Sequence, residues 1–157
     1  ILASNPCPCG FRDTQKPCIC TDSAVNRYQN KLSGPLLDRI DLHVSLQPTP
    51  PSLLFSMNTA ESSQTVRGRV KKARKFRAHR KQSVLNAHLA PDALRKKYRP
   101  TTGTLKLLQE SMDSLNLSAR GAIRILRVAR TIADLALHDE ISTHHLTEAI
   151  GFRPIHL

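Results

Sequence analysis

The chain has 157 residues, a formal charge of +12, 39% hydrophobic residues and only 4% aromatic ones, with no Trp. That length holds one ordinary domain or pieces of two, and so few aromatic residues point to a helical core of Leu, Ile, Val and Ala. The charge favours a polyanionic partner, nucleic acid or nucleotide phosphate, with a merely solvated surface or an acidic neighbour as the alternative. No signal peptide and no apolar run long enough to span a bilayer is found, which excludes a membrane helix.

In chain order, Ile1 to Ser4 read as the end of a buried strand, and with no initiating Met the chain is expected to be a fragment of a longer protein. A cysteine-rich loop runs to Cys20, and Asp22 to Leu32 is expected to be a short helix capped by Thr21 or Asp22. Ile40, Leu42, Val44 and Leu46 alternate with Asp41, His43 and Ser45, a period of two that predicts a strand. The prolines at 48, 50 and 51 end it. Residues 1–47 are therefore expected to be the remnant of an α/β core, residues 48–51 a linker, and residues 52–157 an all-helical domain. The fold class is mainly α, a helical bundle preceded by a truncated piece of α/β core. In the bundle, Val66, Val70, Ala73 and Phe76 or Arg77 mark one stripe of a helix from Ser62 to Lys81. Further helices are expected at Pro91–Lys97, at Thr104–Leu115, from a Ser118 cap to about His138, and at Thr143–Ile150.

Cys7, Cys9, Cys18 and Cys20 are all the cysteines of the chain. Four thiolates are the number that a tetrahedral structural zinc site requires. Outside a secretory context such a cluster points to metal before disulfides, with a redox pair or four plain thiols as alternatives. Arg12 and Lys16 in the same loop are expected to offset the negative charge of bound thiolates.

Cations form the other pattern. Arg67, Lys71, Lys72, Arg74 and Lys75 crowd one helix, which is either a solvated face or a phosphate-contacting one. Aromatic residues for base stacking are scarce there. In SARGAIRILRVARTIADL, residues 118–135, Arg120, Arg124 and Arg127 fall along one stripe, with Asp134 beyond them. Ala122, Ile125, Ala129, Ala133 and Ala136 take the opposite, buried face. Three aligned guanidiniums are expected to face something anionic or to be solvated. Arg39, between Asp38 and Asp41, reads from chemistry alone as a surface ion pair. The His144-His145 pair, at a helix start, reads as structural. No Ser/His/Asp arrangement, carboxylate pair or G-x-x-x-x-G-K-[ST] phosphate loop occurs.

Several of these strings occur together in one family. Asn5-Pro6-Cys7-Pro8-Cys9-Gly10, Cys18-Ile19-Cys20, KLSGPLLDRIDLHV, Asn86 to Leu89 and LSARGAIRILRVARTIADL resemble the magnesium-chelatase-like AAA+ ATPases of the ComM/YifB type. The resemblance covers nearly the whole chain and matches the C-terminal third of that family, the end of the ATPase core and the helical lid. It implies that Asn5 is the sensor 1 asparagine, Arg39 the arginine finger reaching a neighbouring subunit, and Arg120 the sensor 2 arginine. Arg124 and Arg127 are weaker candidates that would help to orient the lid, Arg124 also as a nucleotide-side cation. It further implies a cytoplasmic, hexameric, ATP- and magnesium-dependent motor on DNA, with helicase or branch-migration activity in transformation and recombination. The family's Walker A lysine and Walker B acids lie upstream, so this chain alone is not expected to hydrolyse ATP. The alternatives are a metal-insertion motor like true magnesium chelatase, against which the charge argues, and a non-enzymatic zinc-dependent DNA-binding module.

Overall fold

The computed structural model describes every residue except Ser33, Asp38, residues 51–59, Arg99 and residues 154–157. Asp38, Pro51 and the first eight residues of the expected helical domain therefore lie outside the described residues. The chain divides into two compact units, Ile1–Ile40 with Val44–Asn58, and Asp41–His43 with Thr59–Leu157.

In the first unit the cysteine loop leads into α1, Asp22–Gln29, whose N-cap Thr21 accepts from the Ala24 amide. This hydroxyl satisfies one of the helix's orphan donors. Val25 is the residue that α1 buries, and Gln29 donates to the Pro6 carbonyl at 3.1 Å, tying helix to loop. One turn, α2 (Gly34–Leu37), follows.

Neither expected strand forms. Residues 1–4 and 42–50 are irregular, and Leu42, Val44 and Leu46 are 51, 65 and 89% exposed. An alternating segment becomes a strand only when a neighbour accepts its backbone hydrogen bonds and an apolar layer covers one face. Among the described residues no ladder of such bonds and no covering layer is found for this segment, and the only β-pairing is an isolated parallel bridge between Pro100 and Ile141. The described fold is accordingly mainly helical.

The second unit is a helical bundle: α3 (Ser63–His79), a 3₁₀ turn (Asn86–His88), α4 (Pro91–Lys96), α5 (Thr102–Ser114), α6 (Ala119–Leu135) and α7 (Thr143–Gly151). Side-chain oxygens of Ser62, Thr101 and Ser118 cap α3, α5 and α6 by accepting from the amides of Thr65, Thr104 and Gly121. The α6 helix is the centre of the bundle. Its Ala122, Ile125, Leu126 and Ala129 meet Leu89, Leu94, Tyr98, Leu108, Ile141, Leu146 and Ala149 in one cluster. Small alanines let α7 approach closely, and burial of each large aliphatic side chain stabilises by roughly 1.5–3 kcal/mol. Ala136, expected on this buried face, is the exposed C-cap instead, because the helix stops one residue before it. The bridge at Pro100 is reinforced by Thr101 N–H and Thr104 Oγ1, which donate to the Ile141 carbonyl at 3.2 and 2.8 Å.

A buried polar network joins α3 to α6. Asp134 is not on the solvent side of α6 but buried, with both carboxylate oxygens taken by the fork of Arg80, which follows α3. Arg130, one turn earlier, is fully buried; its Nη2 lies 3.0 Å from Asp134, and its other donors reach the carbonyls of His138 and Asp139. Asn86 donates to Asp134 at 2.7 Å and accepts from Gln82 at 2.7 Å. The Arg80 guanidinium also lies about 5 Å from the ring centroids of Phe76 (5.5 Å) and Tyr98 (5.3 Å). At α7, the amide and hydroxyl of Ser142 meet Nδ1 of His145, closing a capping box. With Nδ1 accepting, Nε2–H of His145 donates to His138 Nδ1 at 3.1 Å. Burial, then the neighbouring cations, hold the His145 pKa below its usual value, so the neutral ring is favoured.

Removing the charge of Asp134 leaves the buried Arg130 guanidinium, and the partly buried one of Arg80, uncompensated. Asp134→Asn is therefore expected to destabilise the bundle by about 3–5 kcal/mol. Thermal unfolding followed by circular dichroism checks this, and a melting temperature within two degrees of the parent contradicts it.

Candidate functional site

Three clusters of chemistry-bearing side chains stand out, one in the first unit and two in the second. In the first unit the four cysteine sulfurs lie within 4.8 Å of one another. The Cys7–Cys9, Cys7–Cys18 and Cys9–Cys18 separations are 3.4, 3.7 and 3.6 Å. These are far beyond a disulfide bond. They match the edge of about 3.8 Å that a tetrahedron with metal–sulfur bonds of about 2.3 Å requires.

Local chain chemistry builds this arrangement. Pro6 and Pro8 stiffen the first arm. The Gly10 amide then donates back to the Cys7 carbonyl at 3.1 Å. Gly10 has φ +79°, where a side chain would be strained, and an added Cβ would stand 3.6 Å from the Asn5 amide nitrogen. The Arg12 amide points at Cys7 Sγ from 3.4 Å. Amides of Phe11 and Ile19 hold the Cys9 thiol down to about 6. Cys20 also receives an amide, from Cys9, but the crowding sulfurs and burial outweigh it and push its pKa up to about 12. Four thiolates cannot share so small a volume without a cation between them, and a soft divalent metal ion fits this donor set.

The expected charge-offsetting role of Arg12 and Lys16 is not seen. The Arg12 guanidinium turns to Asp22 at 3.4 Å, and Lys16 lies over the Phe11 ring. Backbone amides, which cost no side-chain entropy, face the sulfurs in their place. Asn5 is exposed beside this loop, and Arg39 is exposed in the turn after α2, its amide bonded to the Leu36 carbonyl at 3.0 Å.

The second cluster is the outer face of α3. Arg67, Lys71, Lys72, Arg74 and Lys75 are all exposed, while Ala73 is the residue the helix buries. At 1.5 Å rise and 100° per residue, Arg67, Lys71, Arg74 and Lys75 line one side of the helix over about 12 Å. Arg69 is paired with Glu61 at 2.8 Å.

The third cluster is at the start of α6. An open-sided cleft of about 510 Å³ has Pro91, Ala119 and Ile123 as its apolar wall, with Arg95, Arg120, Arg124 and Arg127 around them. Its size is in the range of small-ligand sites. The three aligned arginines of α6 have different surroundings. Arg127 donates through Nε and Nη2 to the Leu89 carbonyl. Arg124 is buried, with Nε donating to Asp41 at 2.7 Å. Arg120 is exposed at the cleft. The cleft thus gathers both arginines expected on the nucleotide side, Arg120 and Arg124. It also adds Arg95, which sequence reasoning did not single out because α4 carries no periodic cationic pattern.

Comparison with known proteins agrees with these patterns. Residues 60–153 match the family described as magnesium chelatase, subunit ChlI C-terminal, and residues 1–54 match magnesium chelatase, subunit ChlI. An uncharacterised protein of Mycobacterium tuberculosis is 40% identical over 156 residues, covering 98% of this chain and 31% of the relative. The uncharacterised YifB of Salmonella typhimurium is 40% identical over 156 residues, 99% of this chain and 30% of the relative. The competence protein ComM of Haemophilus influenzae is 35% identical over 155 residues, 98% of this chain and 30% of the relative. The chain spans about three tenths of the length of these relatives. With both family models matched in order along the chain, it belongs to the magnesium-chelatase-like proteins of the ComM/YifB type.

Proposed function

We propose that the chain supplies the end of the ATPase core and the helical lid of a hexameric, cytoplasmic AAA+ motor that works on DNA. The observation that carries this reading is the cleft at the start of α6, where exposed Arg120 and Arg95 stand beside an apolar wall. Cations around an apolar pocket suit a nucleotide, whose base seeks apolar contact and whose phosphates seek guanidinium. In phosphoryl transfer the protein's contribution is positioning and charge stabilisation. Arg120 would read the phosphates from the lid, Asn5 would position the attacking water, and Arg39 would reach the nucleotide of the adjacent subunit. The phosphate loop and magnesium ligands would come from elsewhere in the longer protein, so this chain alone is not an ATPase.

The exposed cationic row of α3 is assigned to the DNA backbone. It has charge and spacing but few aromatic faces, which suits sequence-independent phosphate contact. The +12 charge and a relative named for competence support DNA over a metal-insertion substrate. The four cysteines are assigned a structural zinc ion that braces the loop beside Asn5. All four donors come from protein, which leaves no open position for catalysis.

Two outcomes are expected. Charge reversal at Lys71, Lys72 and Lys75 in the full-length protein should weaken DNA binding at least tenfold and make the salt dependence shallower by roughly one per lysine. Fluorescence anisotropy over a salt series measures both; unchanged affinity and slope would return α3 to a solvated face. Purified protein should carry one zinc per chain by elemental analysis under reducing conditions, and Cys9→Ser should lose it. A metal-free wild type contradicts the zinc assignment.

A further inference from the structure

We infer that Asp41 and Arg124 form a tether that positions the arginine finger, and that Arg124 serves the reaction as a positioning residue and not as a nucleotide contact. The inference rests on the reading of Arg39 as a finger acting on a neighbouring subunit.

Asp41 lies two residues after Arg39, yet it groups with the helical bundle and not with the unit that holds Arg39. Two contacts of the short segment Asp41–His43 reach the bundle's helices directly. Nε of buried Arg124 donates to the Asp41 carboxylate at 2.7 Å, and the His43 amide donates to the Phe152 carbonyl at 2.8 Å. The first contact is on the opening half of α6, one turn from Arg120; the second is at the end of α7. The apolar residue between them, Leu42, is half exposed, so apolar burial does little to seat the segment. The ion pair and the amide do.

Chain geometry sets the consequence. Two residues span at most about 7 Å, so while Asp41 is held, the Arg39 backbone stays within that distance of it. The helix that presents Arg120 to the cleft thereby also holds the residue from which the chain runs back to Arg39. Without the pair, the bundle's hold on this stretch is weakened at Asp41. An arginine finger depends on placement, because its guanidinium must meet charge that develops in the transition state. Substrate binding does not require that placement. Loss of the tether therefore lowers turnover and spares nucleotide affinity.

The test uses the full-length protein, with Asp41→Asn, Arg124→Gln and the exchanged pair Asp41→Arg with Arg124→Asp. The expected result for each single variant is a fall in kcat of about 10- to 100-fold. Affinity for a fluorescent ATP analogue should stay within about twofold. The exchanged pair should recover at least a fifth of the lost activity. Hydrogen exchange adds a readout independent of turnover: a peptide covering residues 41–46 should exchange faster in Asp41→Asn while α6 stays protected. Full kcat in Asp41→Asn overturns the inference. So does a tenfold loss of nucleotide affinity in Arg124→Gln with Asp41→Asn unaffected, which makes Arg124 a ligand contact. Loss of protection throughout α6 also overturns it, since the pair is then a fold element only. Arg39→Ala and Arg120→Ala are measured in parallel. If both retain full activity, the motor reading itself fails; if they lose it and Asp41→Asn does not, only the tether fails.

Discussion

Arg130 sits wholly out of solvent at the centre of the bundle, and a guanidinium there survives only if every donor and its charge are met. Asp134 one turn later and the carbonyls of His138 and Asp139 meet them. Asp134 in turn needs more donors than Arg130 offers to satisfy its four lone-pair sites, and Arg80 and Asn86 supply them. This requirement draws the end of α3 and the 3₁₀ turn onto α6. The cationic face of α3 and the cleft at the start of α6 thus belong to one compact unit that a buried charge network, as well as apolar contact, holds together. An apolar replacement of the network could be as stable, but it would not specify the angle at which α3 meets α6.

The aligned arginines of α6 show how one helix divides its charges among tasks. Their spacing is regular, but their surroundings are not. Arg127 is bound to a backbone carbonyl, Arg124 to a carboxylate, and Arg120 is exposed at the cleft. In the proposed motor only the last faces the phosphates; the others fix the cleft and the segment beyond Arg39. In the first unit the amides of the cysteine loop have a comparable supporting role. They orient sulfur toward a common centre and leave Asn5 standing beside a braced loop.

What could be read from the sequence was local. Caps at Thr21 and Ser118, the aliphatic stripe of α6 and the four cysteines depend on residues close in sequence, and each was legible. The strand expected over Ile40–Leu46 was not, because a period of two states only that alternate faces differ; a ladder needs a partner that the described residues do not provide. The long-range ion pairs were equally hidden. Arg80 and Asp134 are 54 residues apart, and Arg124 and Asp41 are 83 apart. The i,i+4 pair of Arg130 and Asp134 was a usable signal, but a helical wheel could not show that both would be buried. The cysteine cluster gave donor number and type at once, whereas the role of Asn5 came only from resemblance.

The central claim is that Arg39 completes the active site of a neighbouring subunit. Mixing two inactive full-length variants tests it most directly: Arg39→Ala, which keeps an intact phosphate loop, and a variant whose phosphate-loop lysine is replaced but whose Arg39 is intact. Each alone should be without ATPase activity, and the mixture should regain it, because some interfaces pair a working loop with a working finger. Full activity of Arg39→Ala alone, or a mixture that stays inactive while both variants assemble, would contradict the account.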